Sequence, residues 1–400
     1  MVCGFVTLES VGRQASQIKC PTCGLQGVKK NGKTSAGKTR YRCTKCGASY
    51  SKHRTDVSER EALRALITYA QGKTELAALT NASRWTIHRR FAPVWDVPTP
   101  HPQPTGEVLP YVFIDGTWLA HGWTLLIARS QYHVEEWQWA TSENSEAWVA
   151  LLERMTPPDV VITDGGGGAL KALRRCWPNT RIQRCLVHIH RNNIADLTRH
   201  PKTMAGKALL ELSRQLLKVK TIAGALKWQF LFHQLGQEYD TYFKERTYAK
   251  DDPAQALWRQ RTWWYTHERD RRVYYRLKRL LDSHQLFTFL EYNTPSTTNP
   301  VESVNALVAR TCENHRGMSE NHMIAIIEWC LYSYTVHPLS AHQIYHNWCE
   351  SGRPSRQIVP KTRHKPKHEG PPEIDHTIDL HHPYSDGLTL HKGWAGRYKP

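Results

Sequence analysis

Apolar residues recur at helical spacing from 58 to 91, where Ala62, Leu63, Leu66, Ile67 and Ala70 line one side of a predicted helix and Gly72 is placed to end it. Glu75, Leu76, Ala77 and Leu79 continue as a short helix, a turn falls at Thr80-Asn81-Ala82, and Ser83 caps a further helix through Arg84, Trp85, Thr86, Ile87, His88, Arg89 and Arg90. Prolines at 93, 98, 100, 102 and 104 cannot continue a helix and predict a linker over 94–108.

Beyond the linker the period changes. Tyr111-Val-Phe-Ile-Asp115 reads as a buried strand ending in an acid, residues 123–128 as a second, and residues 134–140 alternate as a third; short connections predict an antiparallel meander. Asn144 or Ser145 caps a helix with Ala147, Trp148, Leu151, Leu152 and Met155 on one face, and Asp159-Val-Val-Ile-Thr-Asp164 returns as a buried strand. The order is β-β-β-α-β, followed by more α and β. Residues 196–290 show long helical periodicities with Trp228, Phe232, Trp258, Trp263 and Tyr265 among many aromatics, which predicts an all-helical insertion. Val301, Val304, Leu307 and Val308 share a face of a helix within 301–335, and the Pro-, Lys- and His-rich chain after about 350 reads as a mobile tail.

Charge narrows the partner. The net charge is +18, and residues 1–100 carry 17 basic and 6 acidic side chains, or +11 of it, so the front quarter is the expected docking surface for a polyanion. No run approaches about 18 uninterrupted apolar residues and the start lacks a basic, apolar leader, so the expectation is a cytoplasmic protein with no membrane partner.

Four of the ten cysteines form two pairs, Cys20-Pro-Thr-Cys23 and Cys43-Thr-Lys-Cys46, nineteen residues apart. Each pair can turn two sulfurs toward one ion, and together they predict a tetrahedral structural Zn²⁺ site in a ribbon too short to bury a core of its own. Lys29, Lys30, Arg40 and Arg42 lie between the knuckles and are candidate phosphate contacts, although such a ribbon can also bind protein. The helices of 56–93 resemble a helix-turn-helix; its second helix would present Arg84, His88, Arg89 and Arg90 to DNA, the alternative being a plain helical hairpin with a basic face.

Asp115 and Asp164 end two predicted buried strands. A carboxylate just beyond an apolar strand is desolvated and calls for a partner, often a metal ion. Glu302, in Thr298-Asn-Pro-Val-Glu-Ser-Val-Asn305, begins a helix far downstream and is the candidate third acid of a cluster for two divalent cations. Taken singly, each acid is equally a cap or turn residue. Glycines 165–168 read as a flexible turn or as backbone that lets a phosphate approach, and they lack the Gly-Lys-Ser/Thr ending of a nucleotide loop.

The motifs Ile114-Asp115-Gly-Thr, Thr163-Asp164-Gly, Cys185-Leu-Val-His188 and Asn299-Pro-Val-Glu302-Ser-Val-Asn305 resemble those of the Mutator-type DDE transposases, including related bacterial insertion-sequence members, over roughly residues 18–345. In that family a Cys/Asp-x-x-His signature follows the second aspartate, and the last acid lies beyond a helical insertion; 137 residues separate Asp164 from Glu302 here. The resemblance implies that Asp115, Asp164 and Glu302 bind Mg²⁺ or Mn²⁺ and that Cys185 and His188 support the site. Asn299 and Asn305 are candidates to orient Glu302 or touch DNA, and Arg310 and Arg316 to hold the scissile strand, with capping and plain surface roles equally open.

The expected architecture is therefore α+β and multidomain: a zinc ribbon (18–50), a helix-turn-helix (56–93), the linker (94–108), an RNase H-like α/β core in two parts (109–195 and 291–345) interrupted by an all-helical insertion (196–290), and a basic flexible tail (346–400). The implied activity is cleavage at transposon ends and strand transfer, with terminal inverted repeats and target duplex as partners, a homodimer or higher oligomer as the acting form, and a nucleoid-associated, bacterial setting. The alternatives are a zinc-dependent DNA-binding regulator derived from a transposase and an RNase H-like nuclease limited to hydrolysis.

Overall fold

Cys20, Cys23 and the turn at Cys43–Cys46 accompany a small antiparallel sheet of Val28–Lys33 (β1), Thr39–Cys43 (β2) and Ser49–Ser51 (β3), ordered β1-β2-β3 in a computed structural model of the chain. The structure describes residues 20, 23, 25–51, 55–71, 84–103, 106–314 and 317–357, with the side chains of 55–57 and 84 outside that description. Thr44 ties the two knuckles together, its N–H and hydroxyl both donating to the Gly27 carbonyl at 2.9 and 2.7 Å. A Cβ on Gly27 would meet that hydroxyl at 2.8 Å, so glycine is required there for close approach as well as for its φ of +115°.

The helices Thr55–Ala70 (α1) and Arg84–Phe91 (α2) follow. The helix predicted over 75–79, its turn and the Arg84 side chain lie outside the described residues. Ile87 and Phe91 of α2 are buried with Leu63 and Leu66 of α1, while Trp85, His88, Arg89 and Arg90 remain exposed. The predicted linker is partly core: Val94 and Val97 are fully buried in the same cluster.

The central sheet is built from Tyr111–Trp118 (β4), Thr124–Arg129 (β5), Val134–Ala140 (β6), Val160–Thr163 (β7) and Arg181–Arg184 (β8), in the order β6-β5-β4-β7-β8. β4, β5 and β6 form the expected antiparallel meander, and β7 and β8 add in parallel. Ser145–Leu152 (α3), capped by Asn144, connects β6 to β7, and Gly167–Cys176 (α4) connects β7 to β8. Strand alternation then assigns the faces. Val112, Ile114, Leu126 and Val161 meet Trp148, Leu151, Ala169 and Leu173 of α3 and α4. Phe113, Leu125, Ile127, Val160 and Ile162 point the other way, into a core shared with α1, α2 and the later helices.

Leu186–Leu197 (α5) leads into the insertion, whose own core joins Leu186 and Ile189 to Met204–Leu216 (α6), Ile222–Glu238 (α7) and Glu268–Asp282 (α10). Asp240–Lys244 (α8) and Pro253–Arg259 (α9) complete its middle. The insertion is not wholly helical: Arg246–Tyr248 (β9) and Trp263–Tyr265 (β10) pair antiparallel, a correction to the sequence reading. Three-residue strands are too short to print an alternation, and aromatic and β-branched residues such as Thr247, Trp263 and Tyr265 favour extended backbone.

Thr288–Glu291 (α11) precedes Asn299–Asn314 (α12), Glu320–Tyr332 (α13) and Ala341–Glu350 (α14); α12 packs on the open face of the sheet, α13 on α12 and α1, and α14 on α1, all within one shared core. Regular structure thus continues past the predicted tail start at 346. Ser340 and Gln343 form a capping box, Ile344, Tyr345 and Trp348 are buried, and Arg356 donates to the Val97 carbonyl at 2.7 Å and pairs with Glu328. Residues 358–400 of the predicted tail lie outside the described residues. No helix among the described residues is long and apolar enough to cross a membrane.

Candidate active site

Asp115 shares strand parity with Phe113, and Asp164 continues the parity of Val160 and Ile162, so both acids belong to the sheet face that α12 covers. The parallel pair Ile114 and Thr163 ends the β4–β7 register, and the two acids come one residue beyond it: Asp164 just past β7, and Asp115 inside β4, which runs on to Trp118 through its pairing with β5 instead of ending at the acid as the sequence predicts. Val301, Val304 and Val308 seat α12 in the core, and Asn305, one turn past Glu302, donates its amide to Asp115 Oδ2 at 2.7 Å. Arg129 of β5 fixes the first turn of that helix, donating to the Ser303 hydroxyl at 2.8 Å and to the Pro300 carbonyl.

The loop after β7 is tightly specified. Asp164 Oδ1 accepts from Gly166 N–H at 3.0 Å, and Arg184 Nε donates to the Asp164 carbonyl at 3.1 Å. Gly165 has φ of +85°, and a Cβ there would lie 1.7 Å from the Arg184 guanidinium carbon; a Cβ on Gly168 would lie 2.6 Å from the Glu143 carbonyl oxygen. These glycines permit close approach of the protein to itself, whereas Gly167 faces open space. Glu143, just ahead of the Asn144 cap, brings its carboxylate within 3.0–3.1 Å of the Cβ positions of Gly116 and Gly166, and its Oε1 accepts from the Trp148 indole at 3.3 Å.

Cys185, His188 and Glu302 form a second group around Thr298, their ligand atoms all within 4.8 Å of one another; Asp115 and Asp164 stand outside it. The Thr298 hydroxyl lies 2.9 Å from Glu302 Oε1, 3.3 Å from Cys185 Sγ and 3.4 Å from His188 Nδ1. His188 Nδ1 is 3.8 Å from Glu302 Oε1. The described structure thus brings Asp115 near Asp164 through the register of their neighbours Ile114 and Thr163, and to the Glu302 helix through Asn305, without closing the three acids into one 4.8 Å cluster.

Crowded, half-buried carboxylates resist ionisation together. Burial, then the neighbouring Asp164, pushes the Asp115 carboxyl to about 7, with His188 opposing and Glu143 adding to the rise. Burial, then Asp164, pushes Glu143 to about 7 as well. Burial disfavours the Cys185 thiolate, but hydrogen bonds from His188 and Thr298 outweigh it and hold the thiol low; the Cys185 contact raises His188 in turn. Asn305 Oδ1 is buried without a hydrogen-bond partner among the described residues. A hydrated cation fits this donor set: it would relieve the carboxylate repulsion and offer that acceptor a proton.

At the ribbon, Cys20 and Cys46 sulfurs are 3.6 Å apart and Cys23 and Cys43 sulfurs 3.7 Å, all four within 4.8 Å. A tetrahedron with ~2.3 Å arms has edges of about 3.8 Å, so the four thiols fit Zn²⁺. Lys29 lies directly opposite Arg42 in the β1–β2 register, with Arg40 two residues along the same strand face, and all are exposed. Like charges opposed across a ladder destabilise it, so the ribbon presents a surface suited to an anion. His88, Arg89, Arg90 and Arg310 are exposed, as is Asn299 at the start of α12; Arg316 lies outside the described residues. His88 also approaches His322, whose ring stacks on Trp95 at 4.0 Å.

Sequence reasoning passed over Glu143, Thr298, Arg129 and Arg184. Thr298 lies inside the quoted motif, and a hydroxyl four residues before an acid at a helix start was a usable signal. The Arg129 partners lie more than 170 positions away and leave no local trace.

A family model described as transposase, Mutator family, matches residues 133–241, and one described as the InsA N-terminal domain matches residues 15–47. The first stretch carries Asp164, Cys185 and His188 and stops short of Asp115 and Glu302 on either side. The transposase for insertion sequence element IS6120 of Mycolicibacterium smegmatis is 39% identical over 70 residues, 16% of this chain. The chain spans about a fifth of that relative, the match covering 22% of its length. The similarity to Mutator-type transposases anticipated from the motifs is thus found independently, beside a separate match at the zinc ribbon.

Proposed function

We propose that this chain is a DDE-type DNA transposase whose Asp115, Asp164 and Glu302 serve metal-dependent cleavage at element ends and strand transfer into target duplex. The observation that carries this reading is the placement of one acid inside β4 and another one residue past the adjacent parallel strand β7, with the helix bearing the third tied to the first by the 2.7 Å Asn305 bond. The sheet order, three antiparallel strands followed by two parallel ones, supports an RNase H-like core interrupted by the insertion.

Two Mg²⁺ or Mn²⁺ ions, when bound, would supply Lewis-acid activation of the attacking and leaving oxygens. Asp115 would be a rigid ligand because β4 pairs it with Ile127, and Asp164 because Gly166 and Arg184 hold the loop one residue past β7. Asn305 orients Asp115, and Thr298 holds a Glu302 oxygen while linking it to the Cys185–His188 pair. The four thiols would hold Zn²⁺ and so supply the folding energy of the ribbon. The ribbon's basic strand face and the exposed Arg89 and Arg90 of α2, read as the second helix of a helix-turn-helix, would engage DNA; pairing two element ends calls for a homo-oligomer.

Incubating the zinc-loaded full chain with candidate element ends, target plasmid and Mg²⁺ tests the reading. Joined products are expected from the wild type and are lost in Asp115→Asn, Asp164→Asn and Glu302→Gln, with end binding retained. Wild-type joining by any one of these variants removes that acid from the trio.

A further inference from the structure

The β9–β10 pair of the insertion and the start of α10 together carry aromatic and guanidinium planes in alternation. Arg246 sits 4.3 Å from the Trp263 ring centre, Trp263 meets Tyr265 edge-on at 5.2 Å, and Arg271 lies 3.7 Å from Tyr265 and 4.2 Å from Tyr275. Beside them opens a cleft of about 510 Å³, lined by Gln260, Arg261, Thr262, Trp263, Tyr265 and Glu268. That volume falls in the range of sites for small organic groups, about 300–1,000 Å³.

The cleft's chemistry excludes a plain apolar guest. Trp263 keeps 37% of its surface exposed, a large value for an indole that would gain by burial. Arg261 is exposed and forms no ion pair with a described residue. Glu268 is the acid of the cleft, and its charge is met by Arg259 at 2.9 Å and Arg272 at 3.2 Å. What remains is the part-exposed Trp263 ring, with Arg246 over one face and Tyr265 edge-on to it, the Arg261 cation and polar edges from Gln260 and Thr262. A planar heterocycle attached to a phosphate satisfies all three at once: the ring stacks, the phosphate meets Arg261, and the base edge finds the amide and hydroxyl. Bases in a duplex are already stacked on both faces and cannot enter.

We propose that this cleft binds an unpaired nucleotide of a DNA strand, stacking its base on Trp263. The site stands on the hairpin's own geometry and holds whether or not the three acids perform strand transfer.

The test uses the zinc-loaded full chain without added Mg²⁺, and two DNAs of one sequence: a complete duplex and a duplex with a three-nucleotide mismatched bubble containing 2-aminopurine. The wild type is expected to prefer the bubble and to quench the reporter. Trp263→Ala and, separately, the solvent-facing Arg261→Ala should each lower that preference about five- to tenfold and restore fluorescence, leaving duplex affinity unchanged. Trp263→Phe should retain most of both. Equal affinity of the wild type for the two DNAs, or an unchanged bubble preference in both Arg261→Ala and Trp263→Ala, overturns the proposal. If Trp263→Ala alters only the oligomeric state, the surface is a protein interface and the proposal fails. Failure of the wild type to join ends in the separate Mg²⁺ assay, with bubble binding intact here, would count against the strand-transfer reading alone.

Discussion

The Asn305 amide donates to Asp115 Oδ2 at 2.7 Å across 190 positions of sequence, so a helix on the sheet's open face grips the first acid directly. Its other side-chain polar atom, Oδ1, is buried and unpartnered among the described residues. Outer partners of metal ligands typically contribute 10–100-fold in affinity or activity. Asn305→Ala should therefore cut joining by about that factor and raise the Mn²⁺ concentration needed for half-maximal activity, at a folding cost of only ~1 kcal/mol. Wild-type Mn²⁺ dependence in the variant would show that Asn305 merely packs.

Asp115 and Glu143 each have a folded-state pKa of about 7, above ordinary values of 3.8 and 4.5, chiefly through burial and then Asp164. The folded protein binds these protons more tightly than the unfolded chain. Their stabilising contribution is complete below about 4 and is lost as pH rises through 7. Calorimetry of the zinc-loaded, Mg²⁺-free chain should show the melting temperature of the core falling between pH 5 and 8, a slope that Asp115→Asn reduces and that Mg²⁺ offsets at the alkaline end. An equal or steeper fall in the variant contradicts this account.

The four glycines after Asp164 should respond unequally to alanine. Gly165→Ala combines φ of +85° with overlap on Arg184, and Gly168→Ala drives a methyl into the Glu143 carbonyl at 2.6 Å, so each should cost about 1–3 kcal/mol and disturb the site. Gly167→Ala meets nothing within 4 Å and should be neutral or stabilising by up to ~1 kcal/mol. Denaturant unfolding of the three variants checks the order; equal effects would mean the loop is merely flexible.

Replacing both Arg89 and Arg90 with Ala should weaken duplex binding by the full chain. It should also reduce the slope of log affinity against log salt by roughly 2, about 0.9 for each phosphate no longer neutralised. An unchanged slope in a salt titration would assign docking to the ribbon's Lys29, Arg40 and Arg42 instead.

Much of this was legible because local physics wrote it. The two cysteine pairs, the strand that Asp164 follows and the Asn144 cap all follow from spacing and period, whereas the strand expected to end at Asp115 runs on to Trp118, because Gly116-Thr-Trp118 breaks the apolar run yet still pairs with β5. Glu143 was not, because it stands in a polar stretch before a helix and becomes a site residue only when Gly116 and Gly166 close around it. The β9–β10 hairpin was too short to show a period, and α14 was masked by the polar composition that surrounds Ile344, Tyr345 and Trp348. The bond from Thr298 to Glu302 spans one helical turn and could have been anticipated; its meeting with Cys185 depends on tertiary closure.

The core that joins Leu63 and Leu66 of α1 to Ile327 of α13 and Tyr345 of α14 carries a consequence for shortened copies. Glu59 accepts from Tyr345 at 2.6 Å and pairs with Arg353 at 3.0 Å, so the front helices are completed by α14 and the residues just after it. A fragment ending near residue 95 keeps its ribbon but strands Leu63 and Leu66 in water. A copy cut before 341 likewise leaves that core open. Under the proposed function, truncated copies would then be cleared by proteolysis instead of persisting as competitors for DNA, and interference would fall to full-length proteins disabled by point changes.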